Sequence, residues 1–178
     1  MSDFKYKESK NAEYIAKKDE LLKSLPEFCT DYCNAKHDAK PLTLYTYVLR
    51  FQSFFTYIST SKYAGEISPS ELTMDHLREI DAKDVDEFIQ ALKEGKVNDN
   101  GKQVSGNTIN NYISALNSLW MFYYKREKLD KNIISLITRA KVRKEEIDRK
   151  YLSEEDTRTV YNTIESGYGL TKHRSEEH

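Results

Sequence analysis

The sequence predicts an all-α protein, and three observations carry that prediction. Its 178 residues include only 6 Gly and 3 Pro, so chain breakers are sparse. Apolar residues recur at i, i+3, i+4 and i+7 rather than in strict alternation. Hydrophobic residues make up 38% and aromatics 12%, enough apolar surface to pack a core at this length. The length suits one domain, or one domain and a piece of another.

The first element is an amphipathic stretch over Asn11–His37, with Tyr14, Ile15, Leu21, Leu22, Leu25, Phe28, Tyr32 and Cys33 at helical spacing. Pro26 should kink it or divide it in two. The next helix follows Pro41, with Thr43 as the expected N-cap and a stripe of Leu44, Tyr47, Val48, Phe51, Phe54, Phe55 and Ile58. A loop is expected from Ser59 to about Ser70. Asp81 then caps a short acidic helix whose inner face is Val85, Phe88, Ile89 and Leu92, with Gly95 just past its end. After a turn-rich loop comes a helix with Asn107 as the expected N-cap. Its apolar face is Ile109, Tyr112, Ile113, Leu116, Leu119, Trp120 and Tyr123. A short apolar element, Ile133 to Ile137, precedes a Lys/Arg-rich connector from Arg139 to Lys150. Ser153 and Asp156 mark the start of a final helix.

No run reaches the ~20 apolar residues that a membrane-spanning helix needs, and the N-terminus has no apolar signal core, so a cytoplasmic protein is expected. Two cysteines, Cys29 and Cys33, do not make a disulfide framework. They stand one helical turn apart, and no nearby pair of His completes four metal ligands, so buried small hydrophobes are the expected reading. No cofactor is expected.

Charge is distributed unevenly behind a net charge of −1. Residues 51–100 carry −5 and residues 101–150 carry +6. The basic block directly follows an anomaly. From Gln103 to Tyr124 there is no Asp, Glu, Lys or Arg, although 32% of the chain is charged. A helix without a charged face is buried all round, faces a protein, or lies against DNA. Burying so many Asn and Ser side chains is costly unless each is hydrogen-bonded. Short polar side chains, by contrast, keep a helix thin enough for a major groove ~12 Å wide, and Asn pairs bidentately with adenine. Trp120, with Phe122 and Tyr123, is expected in the core rather than as a base-stacking platform. Lys125, Arg126, Arg139, Lys141, Arg143, Lys144, Arg149 and Lys150 are candidates for phosphate contacts that displace counterions.

Several stretches, taken in order, resemble a known family. "KPLTLYTYVLRFQSFFTYIS" is similar to the second helix of the core-binding domain of tyrosine recombinases, the phage-integrase family. "EIDAKDVDEFIQAL" and "VSGNTINNYISALNSLWMFYYKREKLDKNII" resemble the rest of that domain. The matching positions are Asp84–Val85, Phe88–Ile89, Thr108–Ile109, Tyr112–Ile113, Ser114-Ala115-Leu116, Leu119–Trp120 and Asn132–Ile133. "RKYLSEEDTRTVYNTI" resembles the basic linker and the opening of the catalytic domain, and the long first helix and "LTKH" look most like the Xer-type members.

The resemblance implies a SAM-like bundle of four to five helices, a basic linker and the first helix of a catalytic domain. The implied boundaries are a flexible N-terminus over 1–11, a core-binding domain over 12–138, a linker over 139–151 and the start of the catalytic domain over 152–178. It implies binding to double-stranded DNA at inverted-repeat recombination sites, assembly with other recombinase protomers, and no membrane. In the family the second and fourth helices lie in or beside the major groove. That points to Thr43, Tyr45, Thr46 and Arg50, and to Asn107, Thr108, Asn110, Asn111 and Ser114. The family often has Arg or Lys where Asn111 and Asn117 stand. Its catalysis needs a Tyr nucleophile, two Arg, a Lys and His residues in a domain after the linker. This chain has no His-x-x-Arg pair, and none of its 13 Tyr is nominated, so these residues are not expected to cut DNA by themselves. A helical protein-interaction module is the rival reading, with the acidic Glu66–Glu94 segment and the first helix as partner surfaces.

Overall fold

The computed structural model describes residues 2–97 and 101–142, with side chains from Tyr6 onward. All regular structure among the described residues is helical: α1 (Ser2–Leu22), α2 (Glu27–Ala35), α3 (Pro41–Ser61), α4 (Met74–Glu79), α5 (Ala82–Lys93) and α6 (Gly106–Tyr124). Short 3-10 turns occupy Pro69–Glu71 and Ile133–Leu136. None of these helices is long and apolar enough to cross a membrane. The compact unit they form closes at Val142.

Pro26 divides the first stretch as expected. It sits at the N-cap of α2 with φ −58° and ψ 145°, an extended conformation that cannot continue α1. α1 begins at Ser2, well before the expected start at Asn11. The cap of α3 is corrected: Lys40 is the N-cap and Pro41 takes the first helical position. Proline's fixed φ suits that place, and the N–H it lacks would have had no helical partner there. Thr43 is therefore already inside the helix. α3 runs two residues beyond the expected loop start at Ser59.

α4 is an extra element that raises the helix count above the expected four to five. Thr73 caps it, its N–H donating to His76 Nδ1 at 3.0 Å, and Leu77 is its buried anchor. α5 has the expected Asp81 cap, with reciprocal 3.0 Å bonds between Asp81 and Asp84. Gly95 ends it at φ +73°, and a Cβ there would collide with the Gly101 carbonyl. α6 is capped by Ser105, whose Oγ accepts from Thr108 N–H at 3.2 Å, rather than by Asn107.

The core lies between α2, α3, α5 and α6. Phe54 is its hub, meeting the rings of Phe88, Phe55 and Trp120 edge-on at 5.1, 5.2 and 5.9 Å. Edge-to-face packing of this kind adds to area burial. Trp120 is 1% exposed, which makes it core as expected. Tyr123 Oη donates to the Phe28 carbonyl at 2.7 Å and ties α6 to α2. α1 is different: it lies along α3 and buries only Leu22 fully, with Tyr14 stacked on Tyr45 at 5.7 Å.

Candidate nucleic-acid interface

The charge-free stretch becomes α6, and its polar residues divide into two groups. The first group is held by other parts of the chain. Asn110 makes two bonds to the main chain of Ala140: its Nδ2 donates to the carbonyl at 3.0 Å, and its Oδ1 accepts the N–H at 2.9 Å. Ser114 Oγ accepts from Arg139 at 3.2 Å. Asn117 Oδ1 accepts from Asn132 Nδ2 at 2.8 Å. Ser118 shares a 2.6 Å hydrogen bond with Tyr32 Oη. Much of the polar face thus satisfies its hydrogen bonds inside the protein, which removes the desolvation cost of packing it.

The second group points outward. Asn107 and Asn111 are exposed, one helical turn apart, and make no side-chain hydrogen bond among the described residues. Thr108 is half-buried, and its hydroxyl is paired with Ser105 at 3.1 Å. These residues occupy the N-terminal half of α6. No acidic side chain stands in its first turn, so the positive end of the helix dipole is uncancelled there.

The connector reaches the same end of α6. Asn132 starts the return, its Oδ1 accepting from Ile134 N–H at 3.1 Å. From there the chain runs antiparallel to α6, meeting Asn117, then Ser114, then Asn110. That course brings the exposed Arg139 and Lys141 beside the N-terminal half of α6. Lys125 and Arg126 lie at the other end, about 24 Å away at 1.5 Å rise per residue. The guanidinium of Arg126 lies 3.6 Å from the centroid of the Phe122 ring and donates to the Phe122 carbonyl at 3.3 Å. Arg143, Lys144, Arg149 and Lys150 lie outside the described residues.

α3 contributes a second uncharged surface, with Arg50 as its one charge. Thr43, Thr46 and Arg50 share a flank of the helix by their 3- and 4-residue spacing. Arg50 folds over the Tyr112 ring at 5.4 Å and donates to the Thr46 carbonyl at 3.0 Å. Its Nε is buried without a partner. Tyr112 Oη donates to Ser53 at 3.3 Å, so this flank meets α6. The Thr46 hydroxyl is turned back onto the Leu42 carbonyl at 2.7 Å. Tyr45 lies on a different side of α3, under Tyr14 of α1. The structure thus groups Thr46 and Arg50 with α6 and sets Tyr45 apart.

Sequence reasoning missed the pairing of Asn117 with Asn132 and the Tyr112–Ser53 bond. Asn132 had a legible signal, a short polar side chain just before an apolar run, which is a capping position. The Tyr112 partner had none, because it lies 59 positions away.

Tyr32, Tyr63, Tyr123, Cys29 and Cys33 are not activated groups. Burial pushes the Tyr32 hydroxyl up to about 12, and raises Tyr123 further still. Burial and the Glu79 carboxylate raise Tyr63 to about 12. The Cys29 and Cys33 thiols are likewise raised by burial. Such groups stay protonated at neutral pH and are poor nucleophiles.

Comparison with known proteins finds relatives named as tyrosine recombinases. The chain is 25% identical over 169 residues to Tyrosine recombinase XerS of Streptococcus pneumoniae (strain Hungary19A-6), covering 84% of this chain and 47% of that protein. It is 29% identical over 113 residues to Tyrosine recombinase XerS of Streptococcus mutans serotype c (strain ATCC 700610 / UA159), covering 61% of this chain and 32% of the relative. The same-named protein of Streptococcus pneumoniae (strain CGSP14) is 30% identical over 110 residues, 58% of this chain and 31% of its own. The chain spans about half or less of the length of these curated relatives. No protein-family model matches it, and no solved structure matches it.

Proposed function

We propose that this chain, a relative of the Xer-type tyrosine recombinases, is the core-binding part of a site-specific recombinase. It binds one half of an inverted-repeat site in double-stranded DNA. The observation that carries this reading is the exposed, charge-free N-terminal half of α6 with cations beside it. Asn107 and Asn111 project from a helix with no charged side chain, and the connector sets Arg139 and Lys141 next to them. A groove-reading helix needs short hydrogen-bonding side chains at its centre and phosphate-neutralising cations at its rim.

On this reading the flank of α3 with Thr43, Thr46 and Arg50 lies over the adjacent backbone. Arg139 and Lys141 of the connector meet the phosphates beside it. Strand cleavage and rejoining require the Tyr nucleophile and the Arg, Lys and His groups of a complete recombinase, which assembles with other protomers on paired sites. A DNA ligand of this kind places the protein in the cytoplasm, at the nucleoid.

Fluorescence anisotropy with short duplexes tests the reading. Binding to the cognate half-site should exceed binding to scrambled duplex and should fall steeply between low and physiological salt. Absence of binding at low salt to any duplex from the ends of the encoding element would overturn it.

A further inference from the structure

We infer that Asn110 is a positioning residue that fastens the connector to α6, so that the connector leaves the domain alongside the DNA-reading face. The inference rests on the DNA-binding reading for its consequence, but its geometry stands apart from it. Of the polar positions in the first half of α6, Asn110 is the one whose carboxamide is aligned on a main-chain peptide, with bonds of 2.9 and 3.0 Å to Ala140. A carboxamide has one edge that offers a donor and an acceptor side by side. Ala140 occupies that edge, and adenine readout would need the same edge. Asn110 therefore does not read a base while the connector is docked.

The fastening controls what flanks it. Arg139 is held to Ser114 at 3.2 Å, and Lys141 follows Ala140 directly. Lys141 thus takes its position from the peptide that Asn110 grips, and Arg139 from that peptide together with its own bond to Ser114. Without the grip, the last anchored main chain of the return would be at Ile137, which is 8% exposed and whose N–H donates to the Ile134 carbonyl at 3.1 Å. The segment from Thr138 to Val142 would then lose its direction relative to α6, while Asn107 and Asn111 would keep theirs.

The test uses Asn110→Ala and Asn110→Asp in the full 178-residue chain. The first variant removes both bonds; the second keeps an acceptor for Ala140 N–H and removes the donor. Two measurements are made. Amide hydrogen exchange without DNA should show Ala140 exchanging roughly 2- to 10-fold faster in Asn110→Ala, the effect of one net hydrogen bond. Asn110→Asp should show a smaller increase. The salt dependence of binding to a half-site duplex should become shallower in Asn110→Ala by up to about two contacts' worth, at about −0.9 per phosphate in the log–log slope. The ratio of cognate to scrambled affinity should stay within about twofold, below the effect of losing a base contact. Adding Arg139→Ala and Lys141→Ala to Asn110→Ala should flatten the slope little further.

Unchanged exchange at Ala140 would overturn the fastening. A collapse of sequence discrimination with an unchanged salt slope would overturn it too, and would make Asn110 a base reader. If the wild-type chain bound no DNA while Ala140 still responded to Asn110→Ala, the DNA-binding reading would fail and the fastening would stand.

Discussion

Asn110 and Asn111 are neighbours in sequence, yet the helix turns them to different tasks. Successive α-helical residues differ by about 100° in direction, so one faces the returning connector and the other faces outward. The residue types were legible in the sequence as groove-compatible. Which Asn was free was not legible, because the partner of Asn110 lies 30 positions away and is a main-chain peptide. Main-chain partners leave no mark in residue identity. Asn111 is therefore the position where base readout is expected. Asn111→Ala should lower discrimination between cognate and scrambled duplex by about 1–3 kcal/mol, the worth of one bidentate contact. Stability should hold, since the side chain is exposed and Ala is the better helix former. Anisotropy on both duplexes measures this, and equal losses on the two would contradict a reading role.

At the scale of elements, the sequence was clear where a helix is amphipathic and well capped. The apolar stripes of α3, α5 and α6 emerged as expected because each helix has one face against the core, and burial follows the 3.6-residue period. α4 was hidden because its six residues are too few for a period to show. α1 extends further than expected for the opposite reason. Its first half has no apolar stripe, and the local pairs of Lys10 and Lys17 with Glu13, at 2.9 and 2.6 Å, stand at its middle. The Ser105 cap was misplaced by two residues because Ser105, Asn107 and Thr108 could each cap, and the Lys40 cap by three because Lys has no capping side chain while Thr43 does. The Asp81 cap of α5 was legible and makes a prediction with a defined sign. The Asp84 N–H bonded to it holds its carboxyl below the usual Asp value of 3.8. A lowered folded-state value means that the ionised form stabilises the fold above about pH 4, and that this contribution is lost as pH falls below it. Asp81→Ala should cost about 0.5–2 kcal/mol at pH 7, whereas Asp81→Asn should keep most of the cap. Urea denaturation at pH 7 and pH 3 checks this: both variants should lose less stability on acidification than wild type. A wild-type loss matched by Asp81→Asn would remove Asp81 from the acid response.

For the whole molecule, the sequence showed a basic block following a neutral helix, and the fold sorts that block by place. The chain reverses after Leu129, so residues far apart in the block reach opposite ends of α6. Reading the block as continuous missed this, because the reversal depends on Asn132 gripping Asn117 and on the Ile133–Leu136 turn burying Ile133 and Ile134. Two pairs of cations can now be compared directly. Arg139 and Lys141 flank the exposed Asn107 and Asn111, whereas Arg126 is committed to Phe122. Arg139→Gln with Lys141→Gln should flatten the salt dependence of half-site binding by up to about two units of log–log slope. The thermal midpoint should change little. Lys125→Gln with Arg126→Gln should do the reverse. It removes a cation–π contact worth about 0.5–1 kcal/mol, which lowers the midpoint, and it changes the slope less. Salt titrations paired with thermal melts separate the two. If the Lys125 and Arg126 pair flattened the slope as much as the connector pair, the duplex would lie along the full length of α6 rather than across its N-terminal half. In that case the exposed Tyr124, at 45%, would be the next side chain to place against the backbone.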